Sequence, residues 1–319
     1  MIKIPEEFIR ENFTPKDFID SCHEAFVGYG SGTHTMQSRE ENLQNGYKNG
    51  LDRFTLRMPA KIPGYEGYKF IEEFSSVGGG NLGKDKTAVI RLKPESGEEA
   101  EMDAGYITHI RTGAAGALGV RYFVTRPESV SILGTGNVAK AAALCTAELG
   151  VAKINAYSRT PEKREEFRRE IGSSVSAEVV LHDSLKSCVA DCDAIIAAVP
   201  TPEPIIYLSD MQKCRYISCM GGDSRTAQLG EDIMTNVLLI PDNEAQCMKS
   251  GDFRKASEGG YLGKVRFMKR DGRVLNIGDA ANGRVQAPDG IVMCYFTGMA
   301  VQDIAAAKMI YEKWNHKHS

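Results

Sequence analysis

The stretch VSILGTGNVA, residues Val130–Ala139, places an apolar run in front of the glycine pattern G-x-G-x-x-A. This order predicts a strand, a tight turn and a helix, because glycines let the backbone turn sharply and approach a ligand closely. The small Ala139 allows the helix to pack on the strand, and the helix N-terminus would face a pyrophosphate. A glycine turn with a purely structural purpose is the alternative. The residues predicted to bind a dinucleotide are Gly134, Thr135, Gly136, Asn137 and Val138.

Apolar strands and amphipathic helices alternate on the C-terminal side of Pro127. Such alternation is typical of a parallel sheet with helices on both faces. We therefore predict an α/β fold with a doubly wound parallel sheet of the Rossmann type. The predicted elements are the strands Val130–Leu133, Ile154–Tyr157, Val179–Leu181, Ala194–Val199, Tyr216–Cys219 and Val237–Ile240, and the helices Asn137–Leu149 and Pro161–Ile171.

The first third of the chain has a different pattern. A capping sequence at Thr14–Asp17 predicts a helix, which Gly28 and Gly30 would end. Short apolar runs separated by glycine and proline then predict an antiparallel sheet. The Ala-rich segment Tyr106–Phe123 predicts a helix that carries the chain into a second domain, and another helix is predicted at the C-terminus. The predicted strands of the antiparallel sheet include Arg53–Arg57, Tyr68–Ile71 and Thr87–Leu92.

The composition argues for a small-molecule protein. Among 319 residues, 39 basic and 42 acidic side chains leave a formal charge of −3, and no dense basic block is present to bind nucleic acid or an anionic membrane. We find neither a signal peptide nor a run of roughly 18 apolar residues that could span a membrane. The eight cysteines are scattered, which suggests reduced thiols. We therefore expect a cytoplasmic protein.

Three kinds of chemistry are not indicated. The loop Gly78–Lys84 resembles a phosphate-binding P-loop, but Asp85 follows it where a magnesium-binding serine or threonine is required. The six histidines show no metal-ligand spacing, so we predict no metal site. No G-x-S-x-G pattern of a serine hydrolase occurs.

The end of the second strand of the parallel sheet indicates which coenzyme is bound. NAD sites usually have an acidic residue there to accept the ribose hydroxyls. This chain instead has Ser158, Arg159 and Thr160, whose hydroxyl and guanidinium groups suit the 2′-phosphate of NADP. We therefore favour NADP(H) and keep NAD(H) open, since Arg159 could also be a solvated residue before the helix.

Three charged residues lie in apolar or glycine-rich surroundings. Asp223 follows a predicted strand at the sheet edge where ligands bind; the alternative is that it caps a helix that begins at Ser224. Lys69 lies within a predicted strand and could bind a carboxylate or relay a proton; a solvated lysine on an edge strand is the alternative. Arg111 stands just before the Ala-rich helix, where it could reach a carboxylate or a pyrophosphate.

The blocks that contain these residues resemble the ornithine cyclodeaminase and mu-crystallin family. Their order and spacing match from about Met36 to Tyr311. The blocks are Met58–Ala60 with Lys69, Ile110–Ala115, the glycine pattern, Gly221–Asp223 and Gly298–Ala307.

The resemblance implies a Rossmann domain, residues 114–296, inserted into a discontinuous α+β domain, residues 1–113 plus 297–319. The second domain would bind the substrate, and its sheet would form the interface of a homodimer. Lys69 and Arg111 would hold the carboxylate of an amino or imino acid, with Arg39 as a further carboxylate-binding arginine. Asp223 would lie beside the substrate nitrogen, and Lys69 and Asp223 would be catalytic. Thr112, Val199 and Met220 complete the predicted coenzyme-binding residues.

Tyr295 and Phe296 depart from the family pattern, since they stand where the family often has an acid and a serine. The resemblance implies an NAD(P)-dependent oxidoreductase that moves hydride between the nicotinamide and the α-carbon of an amino acid or its imine. One alternative is an ornithine- or lysine-type cyclodeaminase that recycles its coenzyme. Another is a mu-crystallin-like protein that binds NADPH and a small ligand without turnover.

Overall fold

The structure is a computed structural model that describes residues 1–48, 51–76 and 85–318. It divides into two compact units, one formed by Met1–Arg111 with Met299–Ser319 and the other by Thr112–Gly298. Whether each unit is an independent domain stays a prediction. The glycine loop Gly78–Lys84 lies outside the described residues.

The elements are numbered in chain order. The helices are α1 (Glu6–Asn12), α2 (Pro15–Ser31), α3 (Ala104–Phe123), α4 (Asn137–Ala147), α5 (Pro161–Gly172), α6 (Leu185–Ala190), α7 (Glu231–Asn236), α8 (Glu244–Cys247), α9 (Gly251–Glu258), α10 (Ile277–Ala281) and α11 (Ala300–His318). The strands are β1 (Ile2–Ile4), β2 (Thr35–Met36), β3 (Glu40–Lys48), β4 (Leu51–Ile62), β5 (Tyr65–Ser76), β6 (Asp85–Pro94), β7 (Ala100–Asp103), β8 (Ser129–Leu133), β9 (Lys153–Tyr157), β10 (Glu178–Leu181), β11 (Ala194–Ala197), β12 (Tyr216–Met220), β13 (Leu238–Pro241), β14 (Arg266–Phe267), β15 (Lys269–Arg270), β16 (Arg273–Val274) and β17 (Val292–Phe296).

The first unit is built on a seven-stranded sheet in the order β1-β7-β6-β5-β4-β2, with β3 paired to β4. Its strands β4, β5 and β6 are antiparallel neighbours, as the sequence predicts. Side chains alternate between the two faces of a strand, so every second residue of β5 faces the same side. Helix α11 packs against β4, β5, β6 and α2. This packing buries one face of the sheet.

The second unit contains an eight-stranded sheet in the order β10-β9-β8-β11-β12-β17-β13-β14, with every pair parallel. The predicted doubly wound α/β fold is confirmed. The direction of winding reverses between β8 and β11, and open sheets of this kind bind ligands at the carboxyl ends beside such a switch point. Strand β17 was not predicted, although its five residues are all buried.

Strand β8 shows how polar side chains are accommodated in the centre of this sheet. The buried Ser131 hydroxyl donates to the Cys188 carbonyl oxygen at 2.6 Å. The Asn155 amide on β9 donates to the Ser129 hydroxyl at 2.9 Å. Because each buried group has a partner, these polar residues do not oppose burial of the apolar strand.

None of the described helices is long and apolar enough to cross a membrane.

Candidate active site

The predicted strand–turn–helix forms at the switch point of the parallel sheet. Gly134 follows β8 with φ of +105°, and a Cβ there would lie 2.6 Å from the Ala198 carbonyl oxygen. Gly136 is the N-cap of α4; no side chain caps this helix end, and nothing lies within 4 Å of a Cβ built at Gly136. The first glycine is therefore required by the fold, and the second leaves open space before the first amides of α4. This arrangement fits a pyrophosphate bound at a helix N-terminus.

The residues predicted to select the coenzyme follow β9. Ser158 is half-buried, and Arg159 and Thr160 are exposed. Thr160 occupies the N-cap position of α5, but its side chain makes no capping hydrogen bond. Arg164 donates to the Ser158 carbonyl oxygen at 2.7 Å and thereby fixes the turn. Arg159 is exposed two residues beyond the second strand of the sheet.

Gln228 joins the predicted coenzyme residues Val199 and Met220, and sequence reasoning missed it. Its side-chain oxygen accepts from the Val199 amide at 2.9 Å, and its side-chain nitrogen donates to the Met220 carbonyl oxygen at 2.9 Å. This buried amide links the carboxyl ends of β11 and β12. In the sequence, Gln228 could have been noticed only as a single polar residue between the apolar Ala227 and Leu229.

Asp223 lies on a turn three residues beyond β12 and is half-exposed. Its carboxylate accepts from the Arg225 backbone amide at 2.8 Å and pairs with the Arg225 guanidinium at 2.7 Å. No helix of the described chain begins at Ser224, so the helix-cap alternative is wrong. The carboxylate is held by its own turn and remains open to solvent on one side.

In the first unit, the structure brings Lys69 and Arg111 together around Asp303. The Lys69 Nζ lies 2.8 Å from Asp303 Oδ2, and the Arg111 Nε lies 3.0 Å from Asp303 Oδ1. The exposed fractions of Lys69, Arg111 and Asp303 are 1%, 5% and 0%. Charged groups are buried this completely only when they are paired, because desolvation of a lone charge is costly.

The sheet and two helices position these three side chains. Lys69 lies on β5, with β4 and β6 on either side, which excludes the alternative of a solvated edge lysine. Arg111 lies within α3, as the helix predicted at Tyr106–Phe123 implies, and the expectation that it stands just before this helix is wrong. The helix begins at Ala104, two residues before the predicted start. Asp303 lies in the first turn of α11.

Burial and the mutual charges of the cluster shift the pKa values of Lys69 and Asp303. Burial and the neighbouring Arg111 lower the pKa of Lys69 to about 7, although Asp303 opposes the shift. Burial raises the pKa of Asp303, but Arg111 and Lys69 outweigh it and hold the pKa below its usual value. Arg39 is close enough to lower the pKa of Lys69 further. Lys69 and Arg111 therefore share a counter-ion, and the charge of Arg39 acts on Lys69 within the same unit.

Sequence reasoning missed Asp303 as a site residue. The residue stood in the block Gly298–Ala307, between Gln302 and Ile304 on a helix with a predicted apolar face. A carboxylate in the middle of an apolar helix face is buried only beside a cation. The presence of Asp303 on this face could therefore have indicated a buried cationic partner.

Among the residues that the structure describes, no group of three or more histidine, cysteine, aspartate or glutamate side chains is arranged to hold a metal ion.

Comparison with known proteins gives concordant matches. The alanine dehydrogenase of Archaeoglobus fulgidus is 26% identical over 320 residues, which cover 97% of this chain and 94% of the relative. A solved structure of the Thermococcus litoralis Delta(1)-pyrroline-2-carboxylate reductase with NADH and L-proline superposes with a TM-score of 0.84 at 20% identity, covering 100% of this chain and 98% of that chain. An archaeal alanine dehydrogenase dimer with bound NAD gives 0.83 at 22% identity, with coverage of 100% and 97%. These two structures show a shared fold.

A family-wide comparison covers almost the entire chain. The sequence model of the ornithine cyclodeaminase/mu-crystallin family matches residues 1–318. The strand–turn–helix, the Gly221–Asp223 turn and the buried Lys69–Arg111–Asp303 cluster all fall within this match. The chain therefore belongs to the ornithine cyclodeaminase/mu-crystallin family.

Proposed function

We propose that this protein is an NAD(P)-dependent oxidoreductase that transfers a hydride between the nicotinamide and the α-carbon of an amino acid or its imine. The observation that carries the proposal is the Lys69–Arg111–Asp303 cluster. When Lys69 is protonated, two cations share one carboxylate there, so a second carboxylate, supplied by the substrate, would complete the charge balance. The relatives named above are dehydrogenases and reductases of amino and imino acids.

In the proposed mechanism, Arg111, Lys69 and Arg39 bind and orient the substrate carboxylate. Bound coenzyme supplies or accepts the hydride. Lys69, with a pKa of about 7, can hold or release a proton near neutral pH. Asp223 would lie at the substrate nitrogen and exchange a proton with it. The open N-terminus of α4 would hold the pyrophosphate.

The test is oxidation of NADPH and NADH by the purified protein with ammonia or methylamine and a panel of α-keto acids. We expect Lys69→Ala and Asp223→Ala each to lower kcat/KM at least about a hundredfold, the usual contribution of a general acid or base. Lys93→Ala is the matched control, because Lys93 lies on the neighbouring strand β6 and is exposed. Ammonia release from ornithine or lysine without net coenzyme oxidation would show a cyclodeaminase. Coenzyme binding without turnover would show a binding protein.

We further propose that NADP(H) is preferred over NAD(H). The exposed Arg159 beyond β9 supports this, since a guanidinium can pair with a 2′-phosphate and no acidic side chain occupies positions 158–160. Arg159→Ala should reduce the ratio of NADPH to NADH affinity about tenfold, the effect of one lost charged hydrogen bond. Arg168→Ala, an exposed arginine on α5, should leave the ratio unchanged. An unchanged ratio in Arg159→Ala would refute the assignment.

The proposed assembly is a cytoplasmic homodimer, with residues 1–113 plus 297–319 as the substrate-binding and dimerisation domain and 114–296 as the coenzyme domain. All eight cysteines are free and buried, in keeping with a reducing compartment.

A further inference from the structure

Tyr295 of β17 places a buried phenol beneath the turn that carries Asp223. Its hydroxyl lies 2.9 Å from the Gly221 carbonyl oxygen and 2.8 Å from Asp252 Oδ2. A Cβ built at Gly221 would lie 2.1 Å from this hydroxyl, so the ring occupies space that only a glycine leaves free. The phenol is therefore fitted against the start of the turn.

Asp252 extends the contact to the far end of the same segment. Its Oδ1 accepts from the backbone amides of Gln228 at 2.7 Å and Leu229 at 2.9 Å. The adjoining Gly251 amide donates to the Asp223 carbonyl oxygen at 3.1 Å. One buried network thus contacts the beginning, the middle and the end of residues 221–229.

We propose that Tyr295 is a positioning residue whose hydroxyl holds the turn bearing Asp223 in one conformation. This inference rests on the proposed function only in so far as Asp223 acts on the substrate. Tyr295 contacts the turn through a carbonyl oxygen and through Asp252.

The available hydrogen-bond donors and acceptors allow the Tyr295 hydroxyl to bridge the Gly221 carbonyl and the Asp252 carboxyl group. A phenol has one proton, whereas the Gly221 carbonyl and an ionised Asp252 are both acceptors. A protonated Asp252 would donate to the phenol oxygen and leave the phenol proton for Gly221. Burial raises the pKa of Asp252, which favours this protonated form. The carbonyl and the carboxyl would both lose a partner if the hydroxyl were removed.

The experiment compares Tyr295→Phe with Tyr216→Phe in the full chain. Tyr216 is a matched control, because it is also fully buried and its hydroxyl bonds Ser218 at 2.9 Å within β12. Hydrogen exchange of amides 221–229 is measured together with kcat, KM and the Kd of NADPH. For Tyr295→Phe we expect exchange in this segment to become about tenfold faster and kcat to fall about tenfold, as for one lost hydrogen bond. The Kd of NADPH should rise by less than kcat falls, because Gln228 of the same segment contacts the predicted coenzyme residues Val199 and Met220. Tyr216→Phe should change none of these values.

Asp252→Asn provides a second test of the same bridge. An asparagine keeps an acceptor for the Gln228 and Leu229 amides and a donor for the phenol oxygen, as a protonated Asp252 does, so it should leave exchange in residues 221–229 close to the parent value. Unchanged exchange in Tyr295→Phe would overturn the proposal, as would faster exchange with an unchanged kcat. If the parent protein turns over no substrate, the proposed function fails, and the exchange data alone decide whether Tyr295 holds the turn.

Discussion

The carboxylate of Asp303 neutralises part of the charge on two buried cations, and it is itself fully buried. Removal of one member of such a group leaves an uncompensated charge in a medium that solvates it poorly. The cluster therefore has consequences for stability as well as for substrate binding.

Asp303→Asn should reduce the free energy of unfolding by about 3–5 kcal/mol, because Lys69 and Arg111 lose their shared counter-ion. The pKa of Lys69 should fall further, since Asp303 now raises it. Urea unfolding measures the first effect. Glu312→Gln on the same helix is the control: Glu312 is exposed and accepts only at the surface from Tyr65, so it should change stability by less than about 0.5 kcal/mol. A similar small change in both variants would contradict this assignment.

Lys69 should make stability depend on alkaline pH. Its pKa is about 7 in the folded chain against 10.5 for an ordinary lysine, so between these values the unfolded chain binds a proton that the folded chain does not. Stability contributed by this group must therefore rise from pH 7 to 10.5. Between pH 7 and 9.5, the unfolding free energy of the parent should change more favourably than that of Lys69→Met, and Lys93→Met, an exposed lysine on β6, should follow the parent. The comparison between variants cancels the opposite contribution of the buried thiols, whose pKa values are raised by burial. Equal slopes for the two variants would contradict the shift.

Lys69, Arg111 and Asp223 were recognisable in the sequence because each charge interrupts an apolar or glycine-rich segment. Asp303 and Gln228 carried the same kind of signal, but their partners are distant in the chain. Arg111 and Asp303 are separated by 192 positions, and no local pattern specifies such a pair. A local sequence pattern can therefore identify a charged residue in an apolar segment, but it does not identify the distant residue that pairs with this charge.

The two glycines of the β8–α4 turn serve different purposes. Gly134 has a positive φ and a close carbonyl neighbour, so the backbone requires it. Gly136 has an ordinary φ of −77° and open space around it, so the protein alone does not require it. This open space is where the proposed pyrophosphate would bind.

Gly136→Ala should weaken NADPH binding more than about tenfold, because the methyl group enters the space in front of the α4 amides. Its unfolding free energy should fall by less than about 1 kcal/mol, the range of a changed N-cap. Gly134→Ala should instead lose about 2–4 kcal/mol through strain and the 2.6 Å contact with Ala198. Fluorescence titration and urea unfolding of both variants measure this contrast. Unaltered affinity in Gly136→Ala would exclude pyrophosphate from this site.

Most strands of the parallel sheet were predictable, since each is a short apolar run between turn residues. β17 was missed although its sequence VMCYF is wholly apolar, because no predicted helix precedes it directly. In the sheet, β17 lies between β12 and β13, although it follows both of them in the chain. The order of strands depends on the crossover connections between them, and hydrophobic periodicity does not predict those connections. The hydrophobic pattern of a segment therefore predicts that it is a strand better than it predicts which strands lie beside it in the sheet.

The proposed homodimer can be measured directly. Sedimentation equilibrium should give twice the chain mass of 34.9 kDa. The sheet of the first unit is the expected interface, and Leu43 and Tyr47 on its outlying strand β3 are 59% and 50% exposed. Leu43→Lys should weaken association at least about tenfold, because a buried leucine contributes about 1.5–3 kcal/mol. Met248→Lys, which alters an exposed apolar residue of the other unit, should not. A monomer at micromolar concentration would refute the assembly.

Asp303 is also the last member of its cluster to be synthesised. At about 5–20 residues per second, the 192 positions that separate it from Arg111 correspond to roughly 10–40 s on the ribosome. The whole of Thr112–Gly298 emerges during that interval. The nascent sheet cannot bury Lys69 until α11 arrives with its carboxylate. The unit whose synthesis begins first is therefore completed last. A chain that stops before α11 would present an open, charged sheet to chaperones and proteases.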